Sequence, residues 1–92
     1  MSEVAALLHG PELPAAGVPA RVHFHGDYLR VARVDGTAED IPADSLAVDI
    51  TGFNEDTLQL SWERHGQPHA VTVAESATIR ALLAQAPATI AR

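Results

Sequence analysis

The sequence predicts an α+β fold that is mainly β: an antiparallel meander of about six strands forms a curled sheet or split barrel, closed by one C-terminal helix. Three observations predict this fold. Apolar and polar residues alternate in short runs between residues 20 and 74, which is the period of half-buried strands. Turns rich in glycine separate those runs. Near the C-terminus the apolar period changes from two residues to about 3.6, the period of a helix.

The composition limits both the core and the class of function. The chain has 92 residues, of which 47% are hydrophobic and 4% aromatic, so one domain with an aliphatic core is expected. The net charge is −6 and the six basic residues, all arginine, are scattered along the chain. Nucleic acid and acidic membrane surfaces are therefore poor partners for this segment. The absence of cysteine excludes disulfides, zinc–thiolate sites and cysteine nucleophiles.

The N-terminal segment is interpreted as a lead-in to the domain. Val4, Leu7 and Leu8 have helical spacing. A short helix is therefore predicted over residues 2–8, ended by Gly10-Pro11. The apolar run is too short for a signal peptide or a membrane span, which predicts a cytoplasmic protein. The predicted divisions of the chain are a flexible lead-in (1–17), a domain (18–87) and a tail (88–92).

The clearest local pattern predicts a β-hairpin over residues 20–33. Gly26-Asp27 has the composition of a two-residue turn, and apolar residues alternate with polar ones on both sides of it. The predicted opposing pairs are His25 with Tyr28, Phe24 with Leu29, His23 with Arg30 and Val22 with Val31. This register gathers the apolar residues on one face and the polar residues on the other, which supports it.

Asp35-Gly36 predicts a second turn, for which two registers are open. A two-residue loop would place Ile41 opposite Arg30. We prefer a three-residue loop over residues 34–36 with a left-handed glycine. Its pairs are Leu29 with Ile41, Arg30 with Asp40, and Val31 with Glu39. The last pair sets an apolar residue against a charged one, which is the weakness of this register.

Three further strands are predicted after a turn at residues 43–45, and they cover residues 46–51, 57–64 and 69–74. The loop between the first two contains Phe53, which we expect to fold back over the sheet as a plug. His65-Gly66-Gln67 turns the chain before the last strand. The inward residues of the last two strands are Leu58, Leu60, Trp62, Val71 and Val73.

A single amphipathic helix is predicted after the last strand. Its apolar stripe consists of Ile79, Leu82, Leu83 and Ala86. Ser76 is the predicted N-cap and Pro87 ends the helix. We expect the helix to cover an open end of the curled sheet.

Two histidine patterns are candidate metal sites. His23 and His25 lie on one face of a predicted strand, a spacing that permits chelation. The predicted register sets Arg30 across from His23, and a guanidinium beside a divalent cation is unfavourable. His65 and His69 flank a turn instead of lying on one helix face, so they do not form a zinc-protease motif. No metal site is predicted.

No catalytic residue and no cofactor are predicted either. The serines lack a nucleophile motif and the glycines occur singly, so neither a hydrolase elbow nor a phosphate-binding loop is present. Acidic residues fall at turns and on polar strand faces. Glu39-Asp40 lies on a strand that is a candidate edge, where charge deters pairing with other sheets.

The order of short strands followed by one helix resembles the pleckstrin-homology-type superfold in its small bacterial forms. It is similar in layout to the N-terminal accessory domain of membrane-bound M48-type metallopeptidases. The similarity covers roughly residues 18–87. Its motifs are Val22-His23-Phe24-His25-Gly26-Asp27-Tyr28-Leu29, Asp35-Gly36-Thr37, Ile41-Pro42 and Ala81-Leu82-Leu83-Ala84.

The sequence departs from that family at two places. Lipid-binding members carry basic residues around the first hairpin loop, whereas this loop is Gly26-Asp27, so phosphoinositide binding is not implied. The closing helix has Ile79, Leu82 and Leu83 in place of the usual tryptophan. The peptidase motif is absent. The resemblance therefore implies an accessory part of a larger membrane-associated protein, without catalytic residues.

The sequence thus predicts a non-catalytic accessory or protein-interaction module. Its expected partner is a protein or a second copy, bound through a sheet edge. The alternative is a small-molecule or metal-binding domain at the open mouth of the sheet. The candidate binding residues are His23, His25, Tyr28, Arg30 and Phe53.

Overall fold

The computed structural model describes residues 3–51, 56–87 and 90, which form one curled antiparallel sheet and one α-helix. The elements are β1 (Val4–His9), β2 (Val18–His25), β3 (Tyr28–Arg33), β4 (Ala38–Pro42), a 3-10 helix (Ala43–Ser45), β5 (Ala47–Thr51), β6 (Thr57–Arg64), β7 (Gln67–Ala74) and α1 (Ser76–Leu83). In space the strands run β4-β3-β2-β1-β7-β6-β5, with β4 and β5 at the two edges. The predicted mainly β fold with a C-terminal helix is confirmed, with seven strands instead of about six.

The additional strand is β1, and the helix predicted over residues 2–8 is wrong for the described residues. β1 lies at the centre of the sheet, between β2 and β7, so the segment predicted as a lead-in contains the strand that joins the two halves. Its inward residues are Val4, Ala6 and Leu8. An apolar run this short satisfies the helical and the extended period alike, and pairing on both sides selects the strand.

The first predicted hairpin is confirmed residue for residue. β2 and β3 pair in the predicted register, from His25 opposite Tyr28 to Val22 opposite Val31. Gly26 has a φ of 59°, and a positive φ at the first turn position is what a type II′ hairpin requires. β2 begins two residues earlier than predicted, at Val18.

The second turn has the preferred three-residue form. Leu29 lies opposite Ile41, and Arg30 lies opposite Asp40. Gly36 has a φ of 95°, in the left-handed region expected for it. The Thr37 side chain and backbone N–H both donate to Asp35 Oδ1, at 2.7 and 3.0 Å, and these bonds lower the pKa of Asp35.

The β6–β7 hairpin is tighter than predicted. Arg64 pairs with Gln67, so the turn consists of His65-Gly66 alone. Both turn residues have positive φ, 54° and 75°, as a type I′ turn requires. The loop before β6 contains residues 52–55, which lie outside the described residues, so the predicted plug Phe53 is not assessed.

The core fills the inside of the curl with aliphatic side chains, as the composition predicts. The largest fully buried residues are Phe24, Leu29, Leu58, Leu60, Leu82, Val22, Val71 and Val73. Ile79 and Leu82 of α1 are buried against the sheet, and Leu83 packs on the same core from a half-buried position. The part of the predicted stripe that lies in α1 therefore faces the core, whereas α1 ends at Leu83, before Ala86 and the predicted stop at Pro87. The described part of the chain has no buried charged side chain.

Helix α1 begins one residue earlier than predicted. Glu75 occupies the N-cap position with a φ of 75° and makes no side-chain capping bond, and Ser76 is the first helical residue. At the other end, Gln85 Oε1 accepts a 3.1 Å hydrogen bond from the backbone N–H of Phe24. Phe24 lies near the end of β2, beyond the β1 pairing, which ends at Val22. The segment after α1 thus supplies an acceptor that the sheet lacks there.

Candidate functional site

The four described residues of the predicted binding face lie together on the outer face of the first hairpin. His25 is opposite Tyr28, and His23 is opposite Arg30. The rings of His23 and His25 meet edge to face with centroids 6.5 Å apart. None of the four lines either of the two cavities described below, so they do not form the mouth of the sheet.

The guanidinium of this face, Arg30, is already engaged within the chain. Arg30 donates two hydrogen bonds to Asp40, from Nε at 2.8 Å and from a terminal nitrogen at 3.0 Å. That bidentate bond, then the charge itself, lowers the pKa of Asp40 and raises the pKa of Arg30. His23 Nδ1 lies 3.8 Å from Glu3 Oε2, beyond hydrogen-bond distance, and it is buried without a hydrogen-bond partner among the described residues. The bidentate pair therefore engages Arg30 but not His23.

The described residues contain no group of three or more histidine or acidic side chains arranged to hold a metal ion. The other candidate pair, His65 and His69, flanks the β6–β7 turn as predicted. Both residues instead line the cavity at the open end of the sheet.

A cavity of about 560 Å³ occupies the end of the half-barrel opposite α1. We call it the mouth cavity. It is formed by the last residues of β1, β3 and β6 and the first residues of β4 and β7, which meet at one end of an antiparallel sheet. Its apolar floor consists of Leu8, Leu13 and Val31. The volume is within the usual range for small-molecule sites, roughly 300–1,000 Å³.

A layer of polar side chains surrounds this floor. Arg33 follows Val31 on the inward face of β3, and Glu39 lies opposite Val31 on β4. Arg64 follows Trp62 on the inward face of β6, and His69 lies opposite Trp62 on β7. The layer consists of Arg33, Thr37, Glu39, Arg64, Gln67 and His69. The inward rows of the strands therefore change from apolar in the core to polar at the mouth.

The connection from β1 to β2 closes one side of the mouth cavity. Leu13 N–H donates to the Gly10 carbonyl at 3.1 Å, and Leu13 packs against the core. A Cβ on Gly10 would lie 3.0 Å from Cδ2 of His69, so only glycine permits this approach without a shift of the ring. Part of the stretch predicted as a flexible lead-in is thus folded against the site.

Trp62 stacks on His69, which is one of the residues that line the cavity. Their rings are nearly parallel, with centroids 5.9 Å apart. His69 Nδ1 lies 3.1 Å from the Gln67 carbonyl oxygen, which can only accept, so the bond forms when Nδ1 carries the proton. Trp62 Nε1 is buried and has no hydrogen-bond partner in the described part of the chain. A buried donor of this kind favours an acceptor nearby.

The two arginines of the layer differ in their partners. Arg64 forms a close ion pair with Glu39, which joins β6 to the edge strand β4 across the opening of the curl. Within residues 3–51, 56–87 and 90, Arg33 has no side-chain hydrogen bond or ion pair, and its charge acts on the nearby Asp35. Arg33 is therefore the cation that remains available to a ligand.

A second, more open groove of about 740 Å³ lies where β1 and β7 separate. Their pairing stops at Leu7 opposite Thr72, and α1 lies beside the gap. The groove is lined largely by small side chains, among them Ala5, Ala74 and Ala77. It lacks a convergent set of polar groups, so the mouth cavity is the better candidate site.

No known protein family, curated protein or solved structure matches this chain at a significant level. The geometry of the mouth cavity is therefore the basis on which a function is proposed. Among the described residues, no helix combines the length and hydropathy that crossing a bilayer requires.

Proposed function

We propose that this chain is a non-catalytic binding module that holds a small organic monocarboxylate in the mouth cavity. The observation that carries the proposal is the convergence of an available guanidinium, Arg33, with an apolar floor in one cavity of ligand size. A carboxylate accepts paired hydrogen bonds from a guanidinium, and an apolar body covers Leu8, Leu13 and Val31.

The charges around the cavity favour a single negative charge. Glu12 and Glu39 both line it, and Glu39 already neutralises Arg64. A phosphate dianion would meet these carboxylates with only one available arginine, and the repulsion would oppose its binding. A monocarboxylate needs one cation and is the better match.

The resemblance to small pleckstrin-homology-type domains supports the same proposal. Seven strands followed by one helix leave one end of the sheet covered and the other open. Because of this layout, we propose that the chain is related to the accessory domain of membrane-bound metallopeptidases. In that setting the module would sense or deliver a ligand for a larger protein.

The test is isothermal titration with hexanoate, with hexanol and inorganic phosphate as the two controls. Hexanol keeps the apolar body without the charge, and phosphate keeps charge without the body. We expect hexanoate to bind with a Kd of about 1 mM or tighter, near −4 kcal/mol for eight heavy atoms. Hexanol and phosphate are expected to bind at least about tenfold more weakly.

Arg33→Gln is expected to weaken hexanoate binding about tenfold, because a charge-assisted hydrogen bond contributes about 1.5–3 kcal/mol. Arg21→Gln is the matched control. Arg21 is exposed on the outer face of β2, so this substitution removes the same charge at a position away from the cavity. Equal binding of hexanoate and hexanol, or equal loss in the two variants, would contradict the proposal.

A further inference from the structure

Strand β5, at one edge of the sheet, leaves core-facing side chains uncovered. Within the part of the chain that the structure describes, β5 pairs only with β6, with Val48 opposite Leu60 and Ile50 opposite Leu58. The two leucines are fully buried, whereas Val48 is 42% exposed and Ile50 is 45% exposed. Opposed residues share a face of the sheet, so the apolar row of the core continues onto β5 and ends there in solvent.

The other edge, β4, carries the features that block pairing. Its core-facing Ile41 is only 3% exposed, and Pro42 has no N–H to donate. Glu39-Asp40 places two charges along the strand. β5 has no proline and a single charged residue, Asp49. Of the two edges, β5 is the one open to an additional strand.

The sequence on both sides of β5 is acidic. The segment from Val34 to Glu63 inclusive has eight acidic residues and no basic one. Asp49 is exposed on the face opposite to Val48 and Ile50. A strand with lysine or arginine opposite Asp49 would form a favourable cross-strand pair, and the net charge of −6 would attract it.

A second copy of the chain fits this edge less well. Antiparallel pairing of two whole β5 strands has its two-fold axis at Asp49, and sets that carboxylate against its own copy. Moving the axis to Val48 removes the clash but shortens the overlap within β5 to residues 47–49. Two chains that each carry a net charge of −6 also repel.

We propose that β5 accepts an extended segment of a partner protein in which apolar residues alternate with lysine or arginine. The segment would add an eighth strand to the sheet, with backbone hydrogen bonds along Ala47–Thr51. Its apolar side chains would cover Val48 and Ile50, and its basic side chains would face Asp49. This site is independent of the mouth cavity.

The probe is a blocked seven-residue peptide of alternating valine and lysine, titrated into the isotopically labelled chain and followed by backbone amide shifts. We expect saturable shifts on β5 and the paired part of β6. The same peptide with glutamate in place of lysine is expected to bind at least about tenfold more weakly. Asp49→Asn is expected to weaken the lysine peptide about two- to fivefold.

Ile50→Lys is expected to weaken the lysine peptide at least about tenfold, because a charge on the uncovered row opposes strand addition. Val34→Lys is the matched control, since Val34 lies in the β3–β4 turn and is 82% exposed. Arg33→Gln is expected to leave peptide binding unchanged, which separates this site from the mouth cavity.

Three results would overturn the proposal. They are equal binding of the lysine and glutamate peptides, equal effects of Ile50→Lys and Val34→Lys, and a dimer of the free chain that Ile50→Lys disperses. The last result would assign the edge to a second copy.

Discussion

Ala6→Asp is expected to lower the free energy of unfolding by about 3–5 kcal/mol, the usual effect of an unpaired charge in a core. Ala5→Asp is expected to change it by less than about 1 kcal/mol. Ala6 is buried in the central strand β1, and Ala5, its neighbour, is exposed on the outer face. The two variants make the same chemical change at adjacent positions.

Denaturant titration at neutral pH measures both effects. A domain of this size has a total stability of about 5–15 kcal/mol, so Ala6→Asp could unfold the chain outright. The difference in the free energy of unfolding between the two variants is the quantity that tests the strand assignment. In the helix predicted from Val4, Leu7 and Leu8, positions 5 and 6 would both lie away from the apolar stripe. Small, equal effects would therefore contradict the strand assignment.

Leu82→Ala is expected to lower the free energy of unfolding by about 2–5 kcal/mol, the range for buried leucines. Leu82 is fully buried where α1 covers one end of the sheet. Removing its side chain would leave a cavity in the core that α1 shares with β6 and β7, or require α1 to shift.

Leu83→Ala is the matched control, since Leu83 packs on the same core from a half-buried position. We expect it to have less than half the effect of Leu82→Ala, because less apolar surface is lost and no closed cavity forms. Both changes replace leucine with alanine in adjacent helical positions, so helix propensity cancels. A larger loss of unfolding free energy for Leu83→Ala than for Leu82→Ala would contradict this assignment of the face of α1 that packs against the sheet.

The sequence predicted the hairpins because their turns are local. Gly26-Asp27 and Gly36 fix the registers of β2, β3 and β4 through backbone conformation within a few residues. The identity of β1 depends instead on pairing with β7, more than sixty residues away in sequence. An alternation of only five or six residues is too short to decide between helix and strand without that information.

The mouth cavity was missed for a related reason. Arg33, Glu39, Arg64 and His69 are separated along the chain, and only the curl of the sheet brings them to one cavity. One signal was present in the sequence. The preferred register set Glu39 opposite Val31, a mismatch that marks the place where the inward row becomes polar. The predicted face of His23, His25, Tyr28 and Arg30 is a real cluster, but it lies on the outer side of the sheet.

We expect the mouth cavity, and not the outer hairpin face, to bind the ligand. Backbone and side-chain shifts of the labelled chain during a hexanoate titration test it most directly. We predict saturable shifts at Arg33, including its Nε–H signal, and at Leu8 and His69. Signals of His23 and Tyr28 should stay in place. Shifts confined to the outer hairpin face, with Arg33 unmoved, would contradict the claim.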